Sequence, residues 1–130
     1  MAYISFQPKD HFKTNIYSGT GSNATVTGVG FQPDMFWIKQ RNGTQSHVLW
    51  DAIRAGNYYI PPNNNAASNN DIGTFTAASD GYSLGTDNAY NGSGNTYVAW
   101  NWKANGSGSS NSDGALTSTV SVNTTAGISM

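Results

Sequence analysis

The chain has 130 residues, enough for one domain with a core of its own. Charged residues make up only 10% of it, glutamate is absent, and the net charge is −1. Lys9, Lys13, Lys39, Arg41, Arg54 and Lys103 are thinly spread, which excludes the clustered positive charge that a nucleic-acid or anionic membrane surface needs. The scarcity of Glu, Lys, Arg and Leu argues against long helices. Zero cysteines exclude a disulfide framework and zinc–thiolate sites. Aromatic residues at 12% are too many for a disordered polar chain. No stretch approaches the roughly 18 apolar residues of a membrane span. Met1 to Asp10 show no basic segment followed by an apolar run, so the expectation is a product of the cytoplasm that does not take the general secretory route.

Short segments of alternating apolar and polar residues follow one another, each bounded by Gly, Asn, Pro or Asp. Asn15-Ile16-Tyr17-Ser18 is the first predicted strand, and Ala24 to Val29 the second. Met35-Phe36-Trp37-Ile38-Lys39-Gln40 is strongly apolar, and Asn42-Gly43 behind it signals a hairpin with a return strand over Ser46 to Ala52. Tyr58-Tyr59-Ile60 reads as a short strand stopped by Pro61-Pro62 and the polar run from Asn63 to Asn70. Thr74 to Ala77, Gly81 to Leu84 and Thr96 to Trp102 complete the series. In the last of these Val98, Trp100 and Trp102 share one face, and Tyr97, Ala99 and Asn101 the other. About eight strands at such spacing predict an all-β, antiparallel two-sheet sandwich, jelly-roll or lectin-like, with little helix. Residues 1–12 read as an N-terminal docking arm, 13–104 as the sandwich and 105–114 as a Gly/Ser/Asn linker. Residues 115–130 hold one strand-like piece, Leu116 to Val122, or the start of a further unit.

Little in the chain suggests catalysis. Histidine occurs only as His11 and His47, the seven aspartates are scattered through turns, and no nucleophile elbow, zinc-binding His pair or phosphate loop is present. Asp80-Gly81 and Asp87-Asn88 offer oxygens of the kind calcium takes, but they match no EF-hand loop and turns use the same residues. The expectation is a non-enzyme with no cofactor and no metal. Asp51 and Arg54 are placed to form a local ion pair, with Arg54 alternatively presenting its fork to a sugar acid. Aromatics on central strands usually pack inside, which assigns Trp37, Trp50, Trp100 and Trp102 to the core. Tyr58, Tyr59 and Tyr90 sit near loops and, with Arg54, are the expected glycan contacts.

Gly30-Phe31-Gln32-Pro33-Asp34-Met35-Phe36-Trp37-Ile38-Lys39 and His47-Val48-Leu49-Trp50-Asp51-Ala52-Ile53-Arg54 are followed by Ser79-Asp80-Gly81-Tyr82-Ser83-Leu84-Gly85 and Tyr97-Val98-Ala99-Trp100-Asn101-Trp102-Lys103-Ala104. Together they resemble the signature of a family of marine bacteriophage virion proteins, found especially in phages of cyanobacteria and other abundant ocean bacteria. The likeness covers residues 12–105 and is specific in order and spacing. Where that family has Arg-Gly after the hairpin, this chain has Arg54-Ala55-Gly56. Ala126 to Met130 resembles the opening of the second copy of the unit that follows the linker in other members. The resemblance implies a virion structural protein with a lectin-like sandwich and carries no catalytic residues. The expected role is a tail-fibre or adhesion component, homotrimeric by analogy with fibres, that docks on other phage virion proteins or contacts host-surface glycans. Capsid decoration and a free-standing carbohydrate-binding module are the alternatives. The implied location is the virion, assembled in the host cytoplasm and released by lysis, with neither nucleic acid nor membrane as a partner.

Overall fold

The computed structural model describes residues 6–54, 58–70 and 75–130, with the backbone alone for Asn69 and Asn70. The first five residues of the expected arm, the Ala55-Gly56 departure and Thr74 of one predicted strand lie outside the described residues. A 3-10 turn at Pro8–Asp10 leads into β1 (Phe12–Ser18), β2 (Ala24–Val26), β3 (Met35–Gln40), β4 (Val48–Asp51) and β5 (Tyr58–Tyr59). Then come β6 (Asn69–Asn70), β7 (Thr76–Ala78), β8 (Gly81–Leu84) and β9 (Thr96–Trp102). Four short strands end the chain: β10 (Ser109–Asn111), β11 (Ser118–Val120), β12 (Val122–Asn123) and β13 (Ile128–Ser129).

Two antiparallel sheets, in strand orders β1-β9-β3-β4 and β2-β8-β7, make the sandwich. Val26, Tyr82 and Leu84 from the smaller sheet join Phe36, Ile38, Val48, Trp50, Tyr97 and Ala99 from the larger in one buried cluster. At its centre the Phe36 ring stacks on Tyr82 at 4.4 Å and on Trp50 at 4.9 Å, with Phe75 edge-on at 5.4 Å. Such aromatic pairs add about 0.5–1.5 kcal/mol each beyond simple burial. Burial pushes the Tyr82 phenol well above its ordinary pKa.

Local chemistry decides where the strands stop. The second predicted strand ends at Val26 because Gly28 and Gly30 turn with φ of 81° and 85°. Their N–H groups donate to the Asp80 carboxylate at 3.0 and 2.6 Å. These bonds hold the Asp80 carboxyl below the usual carboxylate value. The next residue must be glycine, since a Cβ on Gly81 would collide with the carbonyl oxygen of Val26. Asp34 plays a matching role at the start of β3. Its N–H donates to the Trp102 carbonyl, its carbonyl accepts from Ala52 N–H, and its buried carboxylate accepts from Ala104 N–H at 2.7 Å. Fully buried Asn91 clamps the loops at the opposite end, accepting from Thr20 N–H and donating to Ser22 and Gly85 carbonyls.

β10 lies within the linker-like stretch and pairs with β11, while β12 pairs with β13. This terminal segment folds back on the sandwich. Asn105 N–H donates to the buried Ser121 hydroxyl, and the Asn123 amide donates to the Lys103 carbonyl and meets the His11 ring at 3.0 Å.

Candidate functional site

The period-two alternation of β9 is as the sequence predicts, but the inner face is the one without the tryptophans. Tyr97, Ala99 and Asn101 are the fully buried set. Trp100 and Trp102 are only partly buried and lie on the far side, as does Trp37 of β3. Three of the four tryptophans expected in the core therefore stand on the outer face of the larger sheet, and Trp50 alone is inside at 4% exposure. The reason is volume. The space between the sheets is already filled by Phe36, Trp50, Tyr82, Tyr90 and Tyr97, and β9 adds the small Ala99 beside Tyr97 on that face.

Register assembles the outer face in rungs. Phe12 of β1 stands opposite Trp102, and Trp102 opposite Met35. Thr14, Trp100, Trp37 and Leu49 form the next rung, and Ile16, Val98 and Lys39 the third. The Trp37 and Trp100 rings meet edge to face at 6.2 Å and 72°, and Phe12 leans on Trp102 at 5.2 Å. Trp37, Trp100, Trp102 and His47 line a shallow groove of about 350 Å³ that opens to solvent.

His47 is held in that groove from two sides. Its backbone N–H donates to the Asn63 side-chain oxygen at 2.8 Å, which is why β4 starts at Val48 and not at Ser46. Its Nδ1 accepts the Trp37 Nε1–H at 2.9 Å. Indole N–H only donates, so the His47 proton resides on Nε2. Partial burial, then the nearby Lys39 ammonium, lower the His47 pKa from 6.5. The ring is neutral at pH 7 and carries one N–H donor. Lys39 is itself tied to the Gly43 and Gln45 carbonyls at 3.2 and 3.0 Å.

Two of the expected glycan contacts are core residues. Tyr90 is fully buried with its ring 4.8 Å from Phe75, and Tyr59, 8% exposed, meets Phe75 edge-on. Tyr58 points the other way along β5 and is 44% exposed. Arg54 is exposed, and its Nε donates to Asp51 at 3.1 Å, the local pair expected at that turn. The four do not converge on one surface. Asp80 and Asp87 spend their carboxylates on backbone N–H groups, Asp87 on that of Ala89. Among the described residues no three His, Cys, Asp or Glu side chains gather as a metal site would require.

A family model described as Domain of unknown function (DUF7483) matches residues 7–130. The chain belongs to this family. The DUF7483 match takes in the sandwich, the aromatic groove and the C-terminal hairpins alike. Neither a curated protein nor a solved structure matches the DUF7483 chain.

Proposed function

We propose that this chain is a non-catalytic attachment module of a bacteriophage particle. In this reading it is a tail-fibre or adhesion component that holds host-surface glycans in the groove of β3 and β9. The observation that carries it is the placement of Trp37, Trp100 and Trp102 on the solvent side of the sheet beside a neutral His47. Large apolar side chains held on an outer sheet face mark a contact surface. Flat aromatic faces suit the C–H faces of pyranose rings, and the His47 Nε2–H supplies one donor for a hydroxyl. The lining offers a single imidazole and no carboxylate, which suits holding a ligand rather than hydrolysing it. The phage assignment rests on the four sequence segments quoted above.

An array of immobilised bacterial surface polysaccharides tests the binding. The native chain binds selectively, and Trp100→Ala, shown to be folded by circular dichroism, loses the signal. A flat array for the native chain refutes the glycan role. Electron microscopy of virions with a labelled antibody tests the address, with label expected on the tail. Uniform label over the head and none on the tail refutes the fibre assignment in favour of capsid decoration.

A further inference from the structure

The larger sheet has two edges, and they are treated differently. At the β4 edge, Leu49 exchanges N–H and carbonyl bonds with Ile60, both at 2.9 Å. At the β1 edge nothing comparable exists among the described residues. Lys103 N–H donates to His11 O, and Gly19 N–H to Asn95 O. By antiparallel alternation the odd-numbered residues of β1 therefore bond to β9, and the N–H and carbonyl groups of Phe12, Thr14, Ile16 and Ser18 point away from the sheet. No described group bonds to them. The side chains of the same residues lie on the outer face, where Phe12 is 39% and Ile16 65% exposed. A cleft of about 260 Å³ between β1 and β2 follows this side and leaves it open.

A seven-residue strand whose outer edge has no partner among the described residues, with two exposed hydrophobic side chains, is a template for another strand. The strand itself has no proline and no bulge, and its one charge, Lys13, alternates to the opposite face.

We infer that β1 is where a second copy of this chain joins, β1 against β1 and antiparallel, to make one continuous eight-stranded sheet. Antiparallel pairing of a strand with itself is two-fold symmetric, so each copy offers the same surface. With Thr14 opposite the second copy's Thr14, Phe12 faces Ile16 at both ends of the junction, and Lys13 faces Asn15. That register pairs the two exposed hydrophobics and avoids like charges; shifting it to bring Lys13 opposite Lys13 would do neither. Up to about six main-chain hydrogen bonds form. Assembly stops at two, because the β4 edge of each copy is already engaged. This two-fold state is an alternative to the homotrimer expected by analogy with fibres. The axis stands perpendicular to the sheet, so both aromatic grooves face the same way, roughly 20 Å apart at ~4.8 Å per strand. The inference stands on the edge alone and does not depend on what the grooves bind.

Sedimentation of the full chain across a hundredfold concentration range tests it. The expected result is a reversible dimer, converted to monomer by Thr14→Pro, which removes only an outward N–H and leaves the β1–β9 bonds intact. The native chain has no cysteine, so Thr14→Cys gives a second readout. Under mild oxidant it forms a disulfide-linked dimer, as Cα atoms about 5.5 Å apart permit, while Ser107→Cys at an exposed loop does not. A monomer at all concentrations with no Thr14→Cys cross-link overturns the inference. So does a dimer or trimer that survives Thr14→Pro and fails to cross-link.

Discussion

Adjacent residues on β9 give the sharpest test of which face is the core. Replacing Ala99 with Gln puts a longer side chain and an amide between the sheets, at a position with no exposed surface. Overpacking costs about 1–3 kcal/mol, and an unsatisfied amide adds about 1–3 kcal/mol. The expected loss is about 2–6 kcal/mol, a large share of the roughly 5–15 kcal/mol available to a domain. Trp100→Gln makes the bigger change in volume but on the outer face, where water fills the space and hydrates the amide. It forfeits roughly 100 Å² of apolar contact, about 2.5 kcal/mol at ~25 cal/mol per Å², part of which the Gln methylenes recover. A net loss of about 1–2 kcal/mol is expected. Urea unfolding followed by circular dichroism reads both, with unchanged slope and a shifted midpoint. If Trp100→Gln loses as much stability as Ala99→Gln, Trp100 is a core residue and the groove is not a surface. Binding reverses the order. Trp100→Gln weakens glycan affinity at least tenfold, as loss of an aromatic contact worth about 1.4 kcal/mol or more requires.

Two buried tyrosines should respond oppositely to loss of the hydroxyl. The Tyr97 hydroxyl accepts Gly92 N–H and donates to the Asn88 carbonyl, both at 2.8 Å, so Tyr97→Phe lowers stability by about 1–3 kcal/mol. The Tyr82 hydroxyl is buried without a hydrogen-bond partner among the described residues, so Tyr82→Phe is neutral or stabilising by up to about 1 kcal/mol in the same urea assay. The Trp37–His47 bond needs an unprotonated Nδ1. Because burial and Lys39 depress the His47 pKa from 6.5, the bond is intact above that value and lost as the pH falls through the lower folded one. The Trp37 indole N–H resonance in an NMR titration follows the transition, and His47→Gln removes it. Asp80 behaves in the same sense at lower pH. Its contribution is present above the ordinary value of 3.8 and disappears as the pH falls through the depressed folded value. Asp80→Asn lowers the unfolding midpoint at pH 7 and flattens its decline in acid.

Much of the fold was legible because its punctuation is chemical. Gly81 to Leu84 and Thr96 to Trp102 are strands with the predicted bounds, since Asp-Gly and Asn-rich turns fence them. Asp34 and Asp80, within the segments that carry the phage likeness, turned out to hold backbone ends in place. The face of β9 was not legible. Alternation gives two sets of residues, and the habit of placing tryptophan inside chose the wrong one. Ala99 and Asn101 were the available signal, because a small residue opposite a crowded aromatic core marks the inner side. Tyr59 and Tyr90 misled for a related reason. Nearness to a loop in sequence says nothing about burial when that loop folds under the sheet. The role of His47 was not visible, since its partners Trp37 and Asn63 come together through the hairpin and a distant loop.

The central claim is that the outer aromatic face, not the tyrosine-bearing loops, is the contact surface. The indole N–H signals of the four tryptophans, followed by NMR while a polysaccharide selected on the array is added, test it directly. Trp37, Trp100 and Trp102 are expected to shift together and saturably, with Trp50 unmoved in the core. Binding that leaves those three signals in place and perturbs the side chains around Tyr58 and Arg54 would contradict it.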